Sequence, residues 1–160
     1  MKINFLRIIL LILLLGTFYM IFGFSSQNGE KSGELSSNIT KFILEKMNYD
    51  DIQNQEEIFK KTEIVIRKIA HFSIYTLVGL LLMSFVSTYK LKENIRIIIS
   101  LCMGILYATS DEVHQLFIPG RSGQITDVII DAMGVLLGIL VLLTLLEIYK
   151  KTTNKIDIKE

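Results

Sequence analysis

The chain has 160 residues, 51% of them hydrophobic and 21% charged, with a formal net charge of +1 and a mean hydropathy of +0.47. A charge this close to neutral excludes the basic footprint of a nucleic-acid-binding protein. A lone cysteine, Cys102, excludes an internal disulfide and reads as a small packing residue.

Four apolar runs dominate the chain, and they leave almost no soluble core in which to bury them. The first, "IILLILLLGTFYMIFGF" over residues 8–24, is uncharged and predicts a membrane helix at about 5–24. No A-x-A-like cleavage site follows it, so it reads as a retained helix rather than a signal peptide. Residues 25–68 form the single long loop. Within it, Leu35, Ile39, Phe42, Ile43 and Met47 recur at helical spacing and predict a short amphipathic helix, lying either on the membrane surface or against the bundle. Residues 55–68 look helical and run into the second span, at about 69–89, which is uncharged apart from His71.

The third run, residues 97–110, is shorter than the roughly 20 residues a span needs. To cross a bilayer it must continue through "DEVHQLFI", which gives a span at about 97–117 and carries Asp111, Glu112 and His114 into the edge of the apolar slab. Pro119-Gly120 then predicts a type II turn, with glycine at the position of positive φ, holding Arg121 over the mouth of a helical hairpin. The fourth span, at about 127–148, begins "TDVIIDAMG" and carries Asp131, with Thr126 as its predicted cap. Gly134 and Gly138 form a G-x-x-x-G pair that predicts close helix contact. The fold class that follows is all-α: an integral membrane bundle of four transmembrane helices with an amphipathic helix in the first extracellular loop. Lys and Arg beside the span ends, Arg7, Lys90, Lys92, Arg96, Lys150 and Lys151 among them, put both termini in the cytoplasm and the "DEVHQ" end outside.

Ionisable groups in lipid are expensive, about 2.5–3.5 kcal/mol each at the centre of a helix, and usually mark function. In this topology the polar residues of three helices meet at one end. At about 1.5 Å rise per residue, His71, Asp111 and Asp131 fall in one layer, with Arg67, Gln115 and Asp127 a turn nearer the surface. Arg67, His71 and Tyr75 share a helical face; so do Tyr107, Asp111, His114 and Gln115; Asp127 and Asp131 are one turn apart. Pairing of Arg67 or Arg121 with Asp127 or Asp131, and of His71 with Asp111 or Glu112, would offset the cost. A buried ionic network is seldom a net stabiliser, so stability alone explains the cluster poorly. Some members have plainer roles open to them. His114 would pair with Glu112 or loop backbone, Lys68 would snorkel to the interface, Tyr75 and Tyr107 would be core aromatics, and Arg121 with Asp127 a loop-to-helix clasp.

The segments "RKIAHFSIY" and "DEVHQLFIPGRSGQITDVIIDAMGVLLG", with "FGFSSQ" at the end of the first span, resemble the VanZ-like family of small bacterial membrane proteins. The resemblance covers roughly residues 20–140 and implies one VanZ-like transmembrane domain over 1–160 with a role in the cell envelope. The founding member is associated with resistance to the glycopeptide teicoplanin, and the resemblance supplies no reaction. Many relatives read A-H-F-x-E-Y in the second span; here Ile74 holds the place of the acid.

Three functions are compatible with this pattern. In a binding module, Arg67, Lys68, Gln115, Arg121 and Asp127 would hold the anionic headgroup of a membrane lipid or lipid-linked wall precursor, arginine matching phosphate bidentately. In a membrane-embedded hydrolase or transferase, His71, Asp111, Glu112, His114 and Asp131 would supply acid–base chemistry, although neither Ser110 nor Ser122 lies in a nucleophile elbow. In a structural protein the same groups would be interhelical glue. Zinc ligation by His71, His114 and a carboxylate is conceivable, but "DEVHQ" is not H-E-x-x-H, so neither metal nor cofactor is expected. No nucleic-acid partner is expected either.

Overall fold

The computed structural model describes residues 2–46 and 55–157. Among the described residues there are five α-helices and no strands: α1 (Lys2–Ser25), α2 (Gly29–Lys46), α3 (Gln55–Ser87), α4 (Glu93–Gln115) and α5 (Ile125–Asp157). Four of them, all but α2, are long and apolar enough to cross a membrane. Their outward faces are hydrophobic: Phe5, Ile12, Leu15, Leu106, Met133 and Leu140 are all at least half exposed. A surface of this kind is stable against lipid and not against water.

Helices α3 and α5 form the principal contact of the bundle. The buried positions of α5 are Asp131, Gly134, Val135, Gly138 and Ile139, and those of α3 include Tyr75, Val78, Gly79, Leu82 and Val86. Both sets follow the i, i+3, i+4, i+7 spacing that places residues on one helical face. Glycine sets the separation. A Cβ at Gly134 would meet the Phe72 carbonyl, one at Gly138 the Thr76 carbonyl, and one at Gly79 the Val135 carbonyl. The expected G-x-x-x-G contact is therefore made, with α3 as the partner. Helix α4 packs alongside through small residues, Ser100, Gly104 and Ala108, all buried, and Val135 fills the space that a side chain at Gly104 would need.

Helix α1 presents one stripe to the bundle, Leu14, Thr17, Ile21 and Ser25. Its first turns are held by Arg7, whose Nη2 donates to the Thr88 carbonyl at 2.7 Å and whose guanidinium lies 4.2 Å from the Tyr89 ring centroid. The amphipathic helix expected in the loop is α2, and it packs on α3 through a small polar edge. Thr40 is fully buried and Ser36 donates to Glu63 Oε1 at 2.9 Å, while Ile39 and Phe42 stay largely exposed. Met47, expected on the apolar stripe, lies outside the described residues, as does the side chain of Leu35.

Three expectations need correction. The third span does not continue as regular helix to 117: α4 ends at Gln115, and Leu116, Phe117 and Ile118 close i→i+3 bonds instead, the tightened last turn that satisfies carbonyls at a helix end. Thr126 is not the cap of α5, which starts one residue earlier at Ile125. Cys102 is exposed, on the outer side of α4, and is not a packing residue.

Replacing Gly138 by Leu should drive α3 and α5 apart, with a loss of about 2 kcal/mol or more read as a lowered Tm of the detergent-solubilised protein. Gly23→Ala, where an added Cβ meets nothing within 4 Å, should leave Tm unchanged or slightly raised.

Candidate functional site

Because α3 and α5 touch backbone to backbone, their polar residues face each other in register. His71 Nδ1 lies 3.5 Å from Asp131 Oδ2. One turn nearer the helix end, Lys68 Nζ lies 3.1 Å from Asp127 Oδ1. Asp131 is completely buried, and the side chain of His71 is 26% exposed. The two pairs stack because 68 and 71 are three residues apart and 127 and 131 four, the spacings that superimpose on a helix. Neither pairing matches the sequence-based expectation. Lysine rather than arginine reaches Asp127, and His71 faces Asp131 rather than Asp111 or Glu112.

Helix α4 delivers two carboxylates into the same end of the bundle. Asp111 accepts long hydrogen bonds from the Tyr75 hydroxyl and from Gln115 Nε2, each at 3.4 Å. Tyr75 is thus a core aromatic with a polar task. Glu112 accepts the backbone N–H of Gln124 at 2.9 Å through Oε2, which ties the end of α4 to the start of α5. One nitrogen of His71 and one oxygen each of Glu112 and Asp131 lie within 4.8 Å of one another.

His114 is not part of this group. It stacks on Phe22 of α1, with centroids 4.7 Å apart, and its Nε2 is 3.2 Å from Ser26 Oγ. Tyr107 likewise turns to α1, stacking on Phe18 and donating to the Phe18 carbonyl at 2.7 Å. At about 100° per residue, Tyr107 and His114 point one way along α4. Asp111 and Gln115 lie further round, and Glu112 further still, toward α5. Sharing a helical face was too coarse a criterion to separate them.

The turn after α4 has the expected form. Gly120 has φ +76°, and the Arg121 N–H donates to the Ile118 carbonyl at 3.1 Å. The Pro119 carbonyl also accepts the N–H of Gly29 at 3.1 Å. A side chain at Gly29 would strike the Gly120 carbonyl, so α2 begins in backbone contact with the hairpin turn. Arg121 does not pair with an aspartate. Its Nη2 donates to the Phe24 carbonyl at 2.9 Å and its Nε to the Gln27 carbonyl at 3.0 Å. These carbonyls lie at and just beyond the C-terminus of α1, where a cation meets both orphan acceptors and the negative end of the helix dipole. Burial, and then the neighbouring charge of Arg67, lower the pKa of the Arg121 guanidinium from its ordinary value; arginine nonetheless stays charged in proteins.

Between these elements is a cavity of about 280 Å³. Ile21 and Phe24 of α1, Ile39 of α2, and Ile66, Ala70 and Ile74 of α3 make its walls apolar; Arg67, His71, Asp111 and Arg121 bring charge into it. Arg67 is exposed and makes no hydrogen bond or ion pair among the described residues. Of the ten residues singled out from the sequence, Arg67, His71, Asp111 and Arg121 line this cavity. Lys68, Asp127 and Asp131 lie just behind, bordering a smaller cleft that shares Arg67 and His71. Gln115 and Glu112 support from α4, and His114 stands apart. The contributions of Gln124, Phe24, Gln27 and Gly29 are backbone groups, which no side-chain pattern announces.

The VanZ/LLP1 family model matches residues 9–146. No curated protein and no solved structure matches the chain.

Truncating Arg121 to alanine should leave the Gln27 carbonyl without a donor and the Phe24 carbonyl with only the Gln27 N–H at 3.3 Å, and cost about 1–3 kcal/mol. Hydrogen exchange should rise over the last turn of α1 and the first of α2. Arg121→Lys should rescue only in part, since one ammonium cannot reproduce the planar fork that spans two carbonyls.

Proposed function

The chain belongs to the VanZ/LLP1 family, and we propose that it is a cell-envelope membrane protein that binds an anionic amphiphile, a membrane lipid or a lipid-linked wall precursor. The observation that carries this reading is the pair of arginines on a cavity whose walls are largely isoleucine and other apolar side chains. Arg67 and Arg121 line the same space and are near enough for the charge of one to act on the other. The two cations repel each other; Asp111, on the same cavity, offsets this only in part, and an anionic headgroup would relieve the rest. Arg121 is already fixed by the end of α1, which pre-organises it; Arg67 is free to close on the headgroup. Phosphate suits both, because guanidinium donors match its oxygens bidentately. The isoleucines at 21, 39, 66 and 74 would flank an acyl or polyprenyl chain. Ile74, which stands where the resemblance expects an acid, makes this wall more apolar and favours a binding role.

A second reading, acid–base catalysis on the bound headgroup, draws on His71. It borders the cavity and has Asp131 behind its Nδ1, the base-and-orienter arrangement of many general-base sites. Teicoplanin resistance would follow from either reading if the ligand were a wall precursor.

The orientation proposed puts this end of the bundle outside. Arg7, Lys90, Lys92, Arg96, Lys150 and Lys151 belong to the opposite end, at the start of α1, around the α3–α4 connection and late in α5, and such residues favour the cytoplasm.

Native mass spectrometry of the gently extracted protein should show a co-purifying amphiphile that is lost or reduced at least about tenfold in Arg67→Gln, a loss of roughly 1.4 kcal/mol. An empty wild-type protein would contradict the reading. Turnover of that amphiphile which disappears in His71→Ala, with binding retained, would select the catalytic version.

In intact cells, and in a Cys102→Ser background, Ser122→Cys should react with a membrane-impermeant thiol reagent and Lys90→Cys should not. The reverse pattern would invert the topology.

A further inference from the structure

We propose that His71, Glu112 and Asp131 form a binding site for one divalent first-row metal ion of the zinc or manganese class. Three residues from three helices converge here: α3 brings the imidazole, α4 and α5 a carboxylate each, and one ligand atom from each lies within 4.8 Å of the others. What points to a ligand is what these atoms lack. Both oxygens of Asp131, Oε1 of Glu112 and Nδ1 of His71 are buried without a hydrogen-bond partner among the described residues. Asp131 is 0% exposed and Glu112 5%. A buried acceptor left unsatisfied costs about 1–3 kcal/mol, more when charged, and two carboxylates this close also repel.

Neighbouring cations resolve the conflict only in part: a protonated His71 would pair with Asp131 Oδ2, 3.5 Å away, and still leave Asp131 Oδ1 and Glu112 Oε1 without donors. Lys68 is engaged by Asp127, and Arg121 by the α1 carbonyls. A proton on one carboxyl would supply one donor and leave the remaining acceptors unmet. A dication satisfies all three residues and cancels both negative charges. The geometry needs little change: ligand atoms about 2.1 Å from a four-coordinate ion stand roughly 3.4 Å apart, within reach of small side-chain rotations. Glu112 is already oriented, because the Gln124 N–H holds its Oε2 and leaves Oε1 for the ion, as partners of metal-binding carboxylates commonly do.

The donor set narrows the ion. One imidazole with two carboxylates suits zinc or manganese; there is no thiolate or thioether for copper(I), and an imidazole is a poor ligand for magnesium or calcium. Three protein ligands leave a coordination position open. His71 is the partly exposed member and borders the arginine-lined cavity. The site stands on the three side chains alone and does not depend on what the cavity holds.

The test uses the full chain in detergent, stripped with chelator, gel-filtered and titrated with Zn2+ and, separately, Mn2+ alone. The expected result is one ion per chain and a Tm raised by the ion, since a ligand that binds only the folded state stabilises it. Affinity should fall at least about tenfold in Asp131→Asn and in Glu112→Gln, and be unchanged in His114→Gln. If the buried-residue variants do not fold, His71→Gln replaces them, because its side chain is partly exposed; bound Co2+ should then show a changed visible spectrum as the imidazole is lost. Failure of folded wild-type protein to bind either ion stoichiometrically, or binding that persists undiminished in the variants, overturns the proposal.

Discussion

The contact between α3 and α5 fixes everything else at the polar end of the bundle. Lipid gives helices no hydrophobic reason to associate, so close packing must supply the attraction. Here it comes from glycine at 79, 134 and 138, each set against a carbonyl of the opposite helix. Backbones this close permit only a narrow range of registers, and the one adopted brings His71 to Asp131 and Lys68 to Asp127. A shift of a single residue would rotate one aspartate by about 100° and turn it toward another neighbour. The glycines are therefore the means by which a packing requirement becomes an electrostatic one.

The ionisable residues divide their work. Arg121, Lys68 and Asp127 have partners that account for their presence: two helix-end carbonyls in the first case and a direct ion pair in the others. They hold the elements together at the rim. Arg67, His71, Glu112 and Asp131 are not accounted for in this way, having either no partner or buried atoms without donors. Interhelical hydrogen bonds in membranes average about 0.6 kcal/mol, a small return for burying groups of this kind. The unexplained part of the cluster is thus smaller than the whole and concentrated beside the cavity, which is where a ligand would meet it.

Much of this arrangement could be read from the amino-acid sequence, and the failures have a common cause. Hydrophobic runs found the four spans, Pro119-Gly120 found its turn, and helical rise alone brought the polar residues of α3, α4 and α5 to one end. These readings depend on distance along a helix axis, which spacing determines well. Apart from the end of α4 and the start of α5, each about two residues from its expected place, what failed depended on angle around the axis. His114 and Glu112 are two residues apart, yet one stacks on Phe22 of α1 and the other reaches the N–H of Gln124 at the start of α5. The choice between Lys68 and Arg67 for Asp127 was of the same type. The remaining omissions, the carbonyls of Phe24 and Gln27 and the N–H groups of Gly29 and Gln124, are main-chain atoms common to all sequences; only a folded backbone shows which of them face a side chain.

The bond from Arg121 to the end of α1 also bears on how the molecule is made. Its acceptors are translated early and its donor more than half the chain later, since 97 positions separate Phe24 from Arg121. Until then the Gln27 carbonyl lacks this donor and α2 has no turn to dock against, because Pro119 has yet to be synthesised. The contacts that join the end of α1 and the start of α2 to the hairpin turn therefore cannot form until residues 119–121 have been made.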